Sequence, residues 1–194
     1  MSYALVAIGA SWGGLNALQN VLGNLPGDFA APVVVAQHRA ARSDDTLLAP
    51  LLDGRAKIAV RDADDKDELR PGVAIIAPPD YHMLIDPGVV ALSCEAPVAF
   101  SRPSIDVLFE SAADAYGSQV AGVILTGSNA DGARGLQAIQ RRGGLAIVQD
   151  PATAERSEMP RAALDAVPSA RVLALEDIAP VLTEAVGTTT RAGA

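Results

Sequence analysis

Cysteine is almost absent from this 194-residue chain, with Cys94 the only one. A single thiol excludes an internal disulfide, and with it the stapled scaffolds of small secreted proteins; the usage fits a reducing compartment. Histidine is nearly as scarce, His38 and His82 being the whole supply, so a zinc cage of His and Cys has too few ligands. Aromatic residues make up only 4%, which leaves the core to aliphatic and small side chains. Fifteen Lys and Arg face 23 Asp and Glu, for a net charge of −8. Such a surface argues against general affinity for nucleic acid or anionic membranes. No apolar run reaches the roughly 18 residues that a membrane helix needs. The start, MSYALVAIGAS, has neither the basic flank nor the length of a secretory signal. These absences point to a soluble, cytoplasmic protein.

What is present is a 49% hydrophobic chain of single-domain length. Unbroken apolar runs read as buried strands at Tyr3 to Ile8, Pro32 to Ala36, Ile58 to Val60, Val73 to Ala77, Val120 to Leu125 and Leu145 to Val148. Between them, helical spacing marks Gly14 to Leu22, Asp44 to Leu52 (capped by Ser43 or Asp44), Pro103 to Ala115 (capped by Ser104), Gly132 to Arg142 and Met159 to Ala166. Val172 to Leu175 and Ile178 to Val186 complete the pattern, and residues 188–194 read as a frayed tail. One segment breaks the alternation: YHMLID, then Pro87-Gly88, then VVALSC, which reads as a hairpin. The expected fold is α/β, a doubly wound, mostly parallel sheet with helices on both faces and one antiparallel hairpin.

In open α/β sheets, ligands bind beyond the carboxyl ends of the strands. Three predicted strand ends carry reactive side chains. The first runs into Gly9-Ala10-Ser11-Trp12-Gly13, which fits the G-x-S-x-G elbow that exposes a nucleophilic serine at a strand-to-helix turn. The same glycines would equally serve a turn that cradles a nucleotide phosphate. The second ends in Gln37-His38, and the third leads through Thr126-Gly127-Ser128-Asn129-Ala130 to Asp131. A Ser–His mechanism must use His38 or His82, and His38 has the better position. Asp131 either orients that histidine or simply caps the helix starting near Gly132. The order Ser, His, Asp differs from the Ser, Asp, His order of α/β-hydrolases, and here the serine ends the first strand, which argues against an ordinary lipase-type hydrolase.

The blocks VAIGASWGGLNAL, VVVAQH, IIAPPDYHMLI, RPSIDVLFESAA, GVILTGSNADGA and IVQDPATAERSEMPRAAL, in this order, resemble the catalytic domain of CheB, the chemotaxis protein-glutamate methylesterases. The resemblance covers nearly the whole chain and implies such a domain over residues 1–187. It implies hydrolysis of γ-glutamyl methyl esters on the cytoplasmic helices of chemoreceptors, with some members also deamidating glutamines. Ser11 then matches the nucleophile, His38 the general base and Asp131 the orienting acid. Backbone N–H groups at Trp12 and Ser128 fall where the oxyanion hole forms, and Arg102 and Met159 match stretches around the substrate cleft. No metal or organic cofactor is called for, and neither nucleic acid nor membrane insertion enters the reading.

The chain departs from the family pattern at three points. Trp12 replaces a small or hydroxylated residue, placing bulk at the expected cleft mouth. Ser128 and Asn129 stand where the family commonly has an apolar residue and a glycine, and the glycine position raises the prospect of a positive φ. The chain begins at the catalytic strand, without the receiver domain usual in the family, which favours a stand-alone member. Trp12 and the altered loop motivate an alternative, a catalytically impaired relative that only docks on a signalling partner, or an esterase for another substrate. A dinucleotide-binding oxidoreductase is a third reading, opposed by a spacing that is not G-x-G-x-x-G and by Gln37-His38 where a ribose-binding acid belongs.

Overall fold

The computed structural model describes residues 3–39 and 47–187. The proposed caps Ser43 and Asp44, and the tail from residue 188, lie outside the described residues. Seven strands form one sheet in which every pairing is parallel: β1 (Leu5–Ala10), β2 (Val33–Gln37), β3 (Ala59–Asp62), β4 (Val73–Ile76), β7 (Val120–Ile124), β8 (Leu145–Gln149) and β9 (Arg171–Leu173). Their order is β3-β4-β2-β1-β7-β8-β9. The hairpin pairs β5 (His82–Asp86) with β6 (Val89–Ser93) as a separate two-stranded sheet, turning at Pro87-Gly88 with Gly88 at a φ of 84°.

Helices cover both faces, and the strand sequences show why. Along β1, Val6, Ile8 and Ala10 face one core while Leu5 and Ala7 face the other, and all five are fully buried. A strand with two buried faces has no polar face to show, which is the reason these runs are continuously apolar. The first core receives α1 (Gly14–Asn24), α2 (Leu48–Asp53) and α6 (Leu175–Val186). The second receives α3 (Ile105–Tyr116), α4 (Ala133–Arg141), α5 (Glu158–Ala166) and the inner face of the hairpin through Met83, Ile85 and Val90. Ser104 caps α3 as the spacing predicts, its side chain accepting from the Val107 N–H at 3.4 Å. α6 begins three residues before the predicted Ile178 and carries Pro180 within it.

This order positions the site. From β1 the chain winds outward through β2 and β4 on one side, then returns to place β7 against the other side of β1. The carboxyl ends of β1 and β7 therefore diverge into loops at a topological switch point, where such sheets leave a crevice. All parallel strands end at the same edge, so the residues that follow β2, β1 and β7 are neighbours in space.

Candidate active site

Ser11 follows β1 and is half-buried, held by its own N–H on the Thr126 carbonyl at 3.0 Å. His38 follows β2, and its N–H donates to the Ala10 carbonyl at 3.0 Å. Asp131 lies on the loop between β7 and α4 and is buried. The structure brings these three side chains into one chain of contacts. His38 Nδ1 stands 3.2 Å from Ser11 Oγ, and His38 Nε2 stands 2.7 Å from Asp131 Oδ2.

The partners fix the proton positions. An ionised carboxylate only accepts, so His38 Nε2 carries the hydrogen and donates to Asp131, leaving the Nδ1 lone pair to accept from the Ser11 hydroxyl. Asn129 Nδ2 also donates toward Nδ1, at 3.3 Å. The imidazole side chain is 11% exposed while the Asp131 side chain is fully covered, so the pair meets water only through the histidine.

Asp131 is tied by more than the histidine. Oδ1 accepts from Ser104 Oγ at 2.9 Å and from the Asp106 N–H at 3.0 Å, and Oδ2 accepts from the Ile105 N–H at 2.7 Å. Those N–H groups open α3, so the carboxylate sits at a helix N-terminus. Burial pushes its pKa up, but the His38 bond and the backbone donors of Asp106 and Ile105 outweigh it and hold the carboxyl below its ordinary value. The bland reading of Asp131, a cap on its own following helix, is replaced by a cap on a helix 26 residues earlier in sequence.

His82 has the other role that a lone histidine takes. It is buried, its Nδ1 accepts from the Ser104 N–H at 3.2 Å, and its Nε2 donates to the Ala96 carbonyl at 3.1 Å. It therefore anchors the turn that presents Ser104 to Asp131. Gln37, read from sequence only as a residue that is not acidic, proves to bridge the site. Its Nε2 donates to the Ser11 carbonyl at 2.8 Å and to the His38 carbonyl at 2.9 Å. Thr126 was likewise missed: its hydroxyl donates to the Trp12 carbonyl at 2.9 Å and accepts from the Arg156 N–H at 2.9 Å. A buried polar residue at the end of an apolar run is the one signal that marks both.

The remaining sequence candidates fall around this core. Among the described residues, neither the Trp12 nor the Ser128 N–H has a hydrogen-bond partner. Trp12 directly follows Ser11, and Ser128 directly follows Gly127, on which an added Cβ would lie 2.9 Å from Ser11 Cβ. Met159 is buried beneath that loop, its N–H donating to the Gly127 carbonyl at 2.9 Å, so it supports Gly127 from behind. Arg102 donates to the Cys94 and Glu95 carbonyls at 2.9 and 3.0 Å and lines a cavity of about 120 Å³ shared with His38, Arg39, Asp80 and Phe100.

The structure gives two of the departing side chains definite partners. The Trp12 indole does not line this cavity. It is latched to the segment before α5, Nε1 donating to Glu155 at 3.0 Å with the Arg156 guanidinium 5.6 Å from the ring centroid. Asn129 is not among the four described non-glycine residues with positive φ. Its side chain instead accepts from the Asp131 N–H at 3.1 Å and stiffens the loop.

Comparison with known proteins identifies the family. The family model for CheB methylesterase matches residues 6–182. A Leptospira interrogans protein, provisionally named a protein-glutamate methylesterase/protein-glutamine glutaminase, is 47% identical over 180 residues, covering 92% of this chain and 93% of its own length. A Moorella thermoacetica protein-glutamate methylesterase/protein-glutamine glutaminase is 46% identical over 183 residues, and there the match spans 43% of its length. The crystal structure of the Thermotoga maritima CheB methylesterase catalytic domain superposes with a TM-score of 0.88 at 34% identity, covering 95% of this chain and 99% of that one. The chain therefore belongs to the CheB methylesterase family, a family of hydrolytic enzymes.

Proposed function

We propose that this protein is a serine hydrolase that cleaves γ-glutamyl methyl esters on the cytoplasmic helices of methylated chemoreceptors, using Ser11, His38 and Asp131. The observation that carries the reading is the continuous contact chain from Ser11 Oγ to His38 Nδ1 at 3.2 Å and from His38 Nε2 to Asp131 Oδ2 at 2.7 Å, in a chain of the methylesterase family.

The chemistry follows from those contacts. His38 Nδ1 takes the proton of Ser11 as Oγ attacks the ester carbonyl carbon. The Trp12 and Ser128 N–H groups, which lack internal partners, donate to the oxygen that becomes negative. Asp131 stays ionised and stabilises the imidazolium, which its lowered pKa favours. The tetrahedral intermediate collapses, the methoxy oxygen takes the proton from His38, and methanol leaves. Water then adds to the acyl-enzyme with His38 as base, releasing glutamate and restoring the Ser11 hydroxyl. The same sequence on a glutaminyl carboxamide releases ammonia, consistent with the double name of the relatives.

The test is methanol release from methylated receptor fragments, with wild type beside Ser11→Ala and His38→Ala. Release that is abolished in both variants, with their folds intact, is the expected result. Turnover that survives in Ser11→Ala overturns the nucleophile assignment.

A further inference from the structure

The loop between β7 and α4 sends a second donor to His38 beside the serine. Asn129 Oδ1 accepts from the Asp131 N–H at 3.1 Å, an Asx turn that settles which end of the carboxamide is oxygen. A backbone N–H can only donate, so the nitrogen is the end that faces the histidine, with Asn129 Nδ2 3.3 Å from His38 Nδ1. Ser11 Oγ stands 3.2 Å from the same ring nitrogen. Because Nε2 carries its hydrogen toward Asp131, Nδ1 offers one lone pair to both donors. Ser11 and Asn129 are each partly exposed.

That arrangement changes once the reaction starts. When Nδ1 takes the Ser11 proton it becomes a donor, and the Asn129 amide then faces an N–H in place of a lone pair. Its own hydrogen needs another acceptor. The leaving group supplies one, because it must come to Nδ1 to be protonated, and Asn129 Nδ2 is the neighbour there. A methoxy oxygen has two lone pairs: one takes the proton from Nδ1 and the other accepts from Asn129. The nitrogen of a carboxamide-derived intermediate has a single lone pair, which the His38 proton consumes. Its two N–H groups then meet the Asn129 N–H as donor against donor. A mismatch of that kind separates substrates more sharply than a difference in size.

We propose that Asn129 is a specificity-determining residue whose Nδ2 donates to the leaving oxygen at the Ser11–His38 junction, so that this active site cleaves γ-methyl esters in preference to γ-carboxamides. The inference rests on the esterase reading for the reaction. In the step concerned, the C–O bond of the tetrahedral intermediate breaks and its electron pair goes to the methoxy oxygen. His38 Nδ1 supplies the proton, and methanol leaves the acyl-enzyme behind. Ester and carboxamide give the same acyl-enzyme, so the discrimination lies in acylation and is read in kcat/KM.

The experiment compares kcat/KM for a methylated receptor fragment, read as methanol, with that for the same fragment carrying glutamine at the methylated positions, read as ammonia. Wild type is set beside Asn129→Ser and Asn129→Asp. Serine keeps an oxygen for the Asp131 N–H and is too short to reach Nδ1. Aspartate keeps the turn and puts an oxygen where the nitrogen stands. The ester-to-carboxamide ratio should fall about tenfold or more in Asn129→Ser, and at least as far in Asn129→Asp, whose carboxylate accepts from a leaving –NH2. A role confined to bracing the loop lowers both rates together and leaves the ratio where it was. An unchanged ratio in both variants therefore overturns the assignment, as does a wild type that cleaves the carboxamide as fast as the ester. Ser11-dependent methanol release with an unchanged ratio removes Asn129 alone, whereas no methanol from folded wild type sinks the esterase reading and this role with it.

Discussion

Asp106 and Asp131 each cap the helix that the other one begins. Asp131 accepts the N–H groups of Ile105 and Asp106 at the start of α3, at 2.7 and 3.0 Å. Asp106 Oδ1 accepts the N–H groups of Gly132 and Gly135 at the start of α4, at 2.9 and 2.7 Å. The exchange locks two helix N-termini together and holds Asp131 Oδ2, which also accepts the Ile105 N–H, against His38 Nε2. The carboxylate that orients the histidine is therefore fixed by a second carboxylate that touches no reacting atom.

Asp106 should behave as a positioning residue whose acceptor oxygen matters more than its charge. Asp106→Asn keeps one oxygen for Gly132 and Gly135 and removes a buried charge, so stability should change by no more than about 1 kcal/mol. Asp106→Ala orphans two buried N–H groups and should cost about 2–4 kcal/mol. Methanol release should fall with the alanine variant and largely persist with asparagine. Urea titration beside the turnover assay checks both halves, and equal damage from the two substitutions would show that the charge was the working feature.

The two aspartates should impose opposite pH dependences on stability. Asp131 is held below its ordinary pKa, burial being outweighed by His38 and the α3 donors. Its contribution is present above the unfolded value of about 4 and is lost as pH falls through its lowered folded value. Asp106 is shifted up, chiefly by burial and further by the Asp131 charge, against the Gly135 N–H. Its contribution is full below the unfolded value and is lost as pH rises through the raised one. The Tm difference between wild type and Asp131→Asn should thus increase with pH through the acid range, while that between wild type and Asp106→Asn should decrease. Melting curves from about pH 3 to 7 measure both slopes, and slopes of the same sign would refute the arrangement.

Much of the site was legible because a parallel sheet puts every carboxyl end at one edge. Reactive residues after three buried runs had to meet there once the alternation was read, and Ser11, His38 and Asp131 do. The strand order that makes β2, β1 and β7 adjacent is not written in any one segment, and only the folded chain shows it. Long-range capping was illegible for a related reason. Asp131 stands directly before a helix, so local spacing assigns it there, whereas its bonds go to residues 104–106. Gln37 looked like an unremarkable strand end because a carboxamide declares its use only when both carbonyls it bridges are in view. Trp12 shows a further limit, since side-chain volume carries no information about where the ring is held, here by Glu155 and Arg156.

Trp12 illustrates this in a form that can be measured. The indole is drawn to Glu155 and Arg156. Trp12→Thr should not raise kcat/KM for a receptor fragment, as a bulky obstruction would require. The indole bond and the cation–π contact are exposed, so the stability change should stay within about 1 kcal/mol. A marked gain in rate would restore the obstruction reading.

Gln37 offers the sharpest test of how the serine and histidine keep their register. Its carboxamide is buried, ties the Ser11 and His38 carbonyls together through one nitrogen, and leaves Oε1 without a hydrogen-bond partner. That oxygen lies 1.9 Å from where a Cβ on Gly14 would be, so the bridge requires glycine at position 14. Gln37→Met preserves length but removes both donors, and Gly14→Ala should evict the carboxamide by contact. Each should lower kcat by about 10–100-fold through displacement of Ser11 against His38, with KM little changed, because neither residue is placed to touch substrate. Since both act on one bridge, the double variant should be hardly worse than either single one. Stopped-flow acylation gives the rate and denaturation gives the accompanying loss, about 1–3 kcal/mol for carbonyls left short of a donor. Additive losses in kcat would separate the two residues and remove Gln37 from the positioning role.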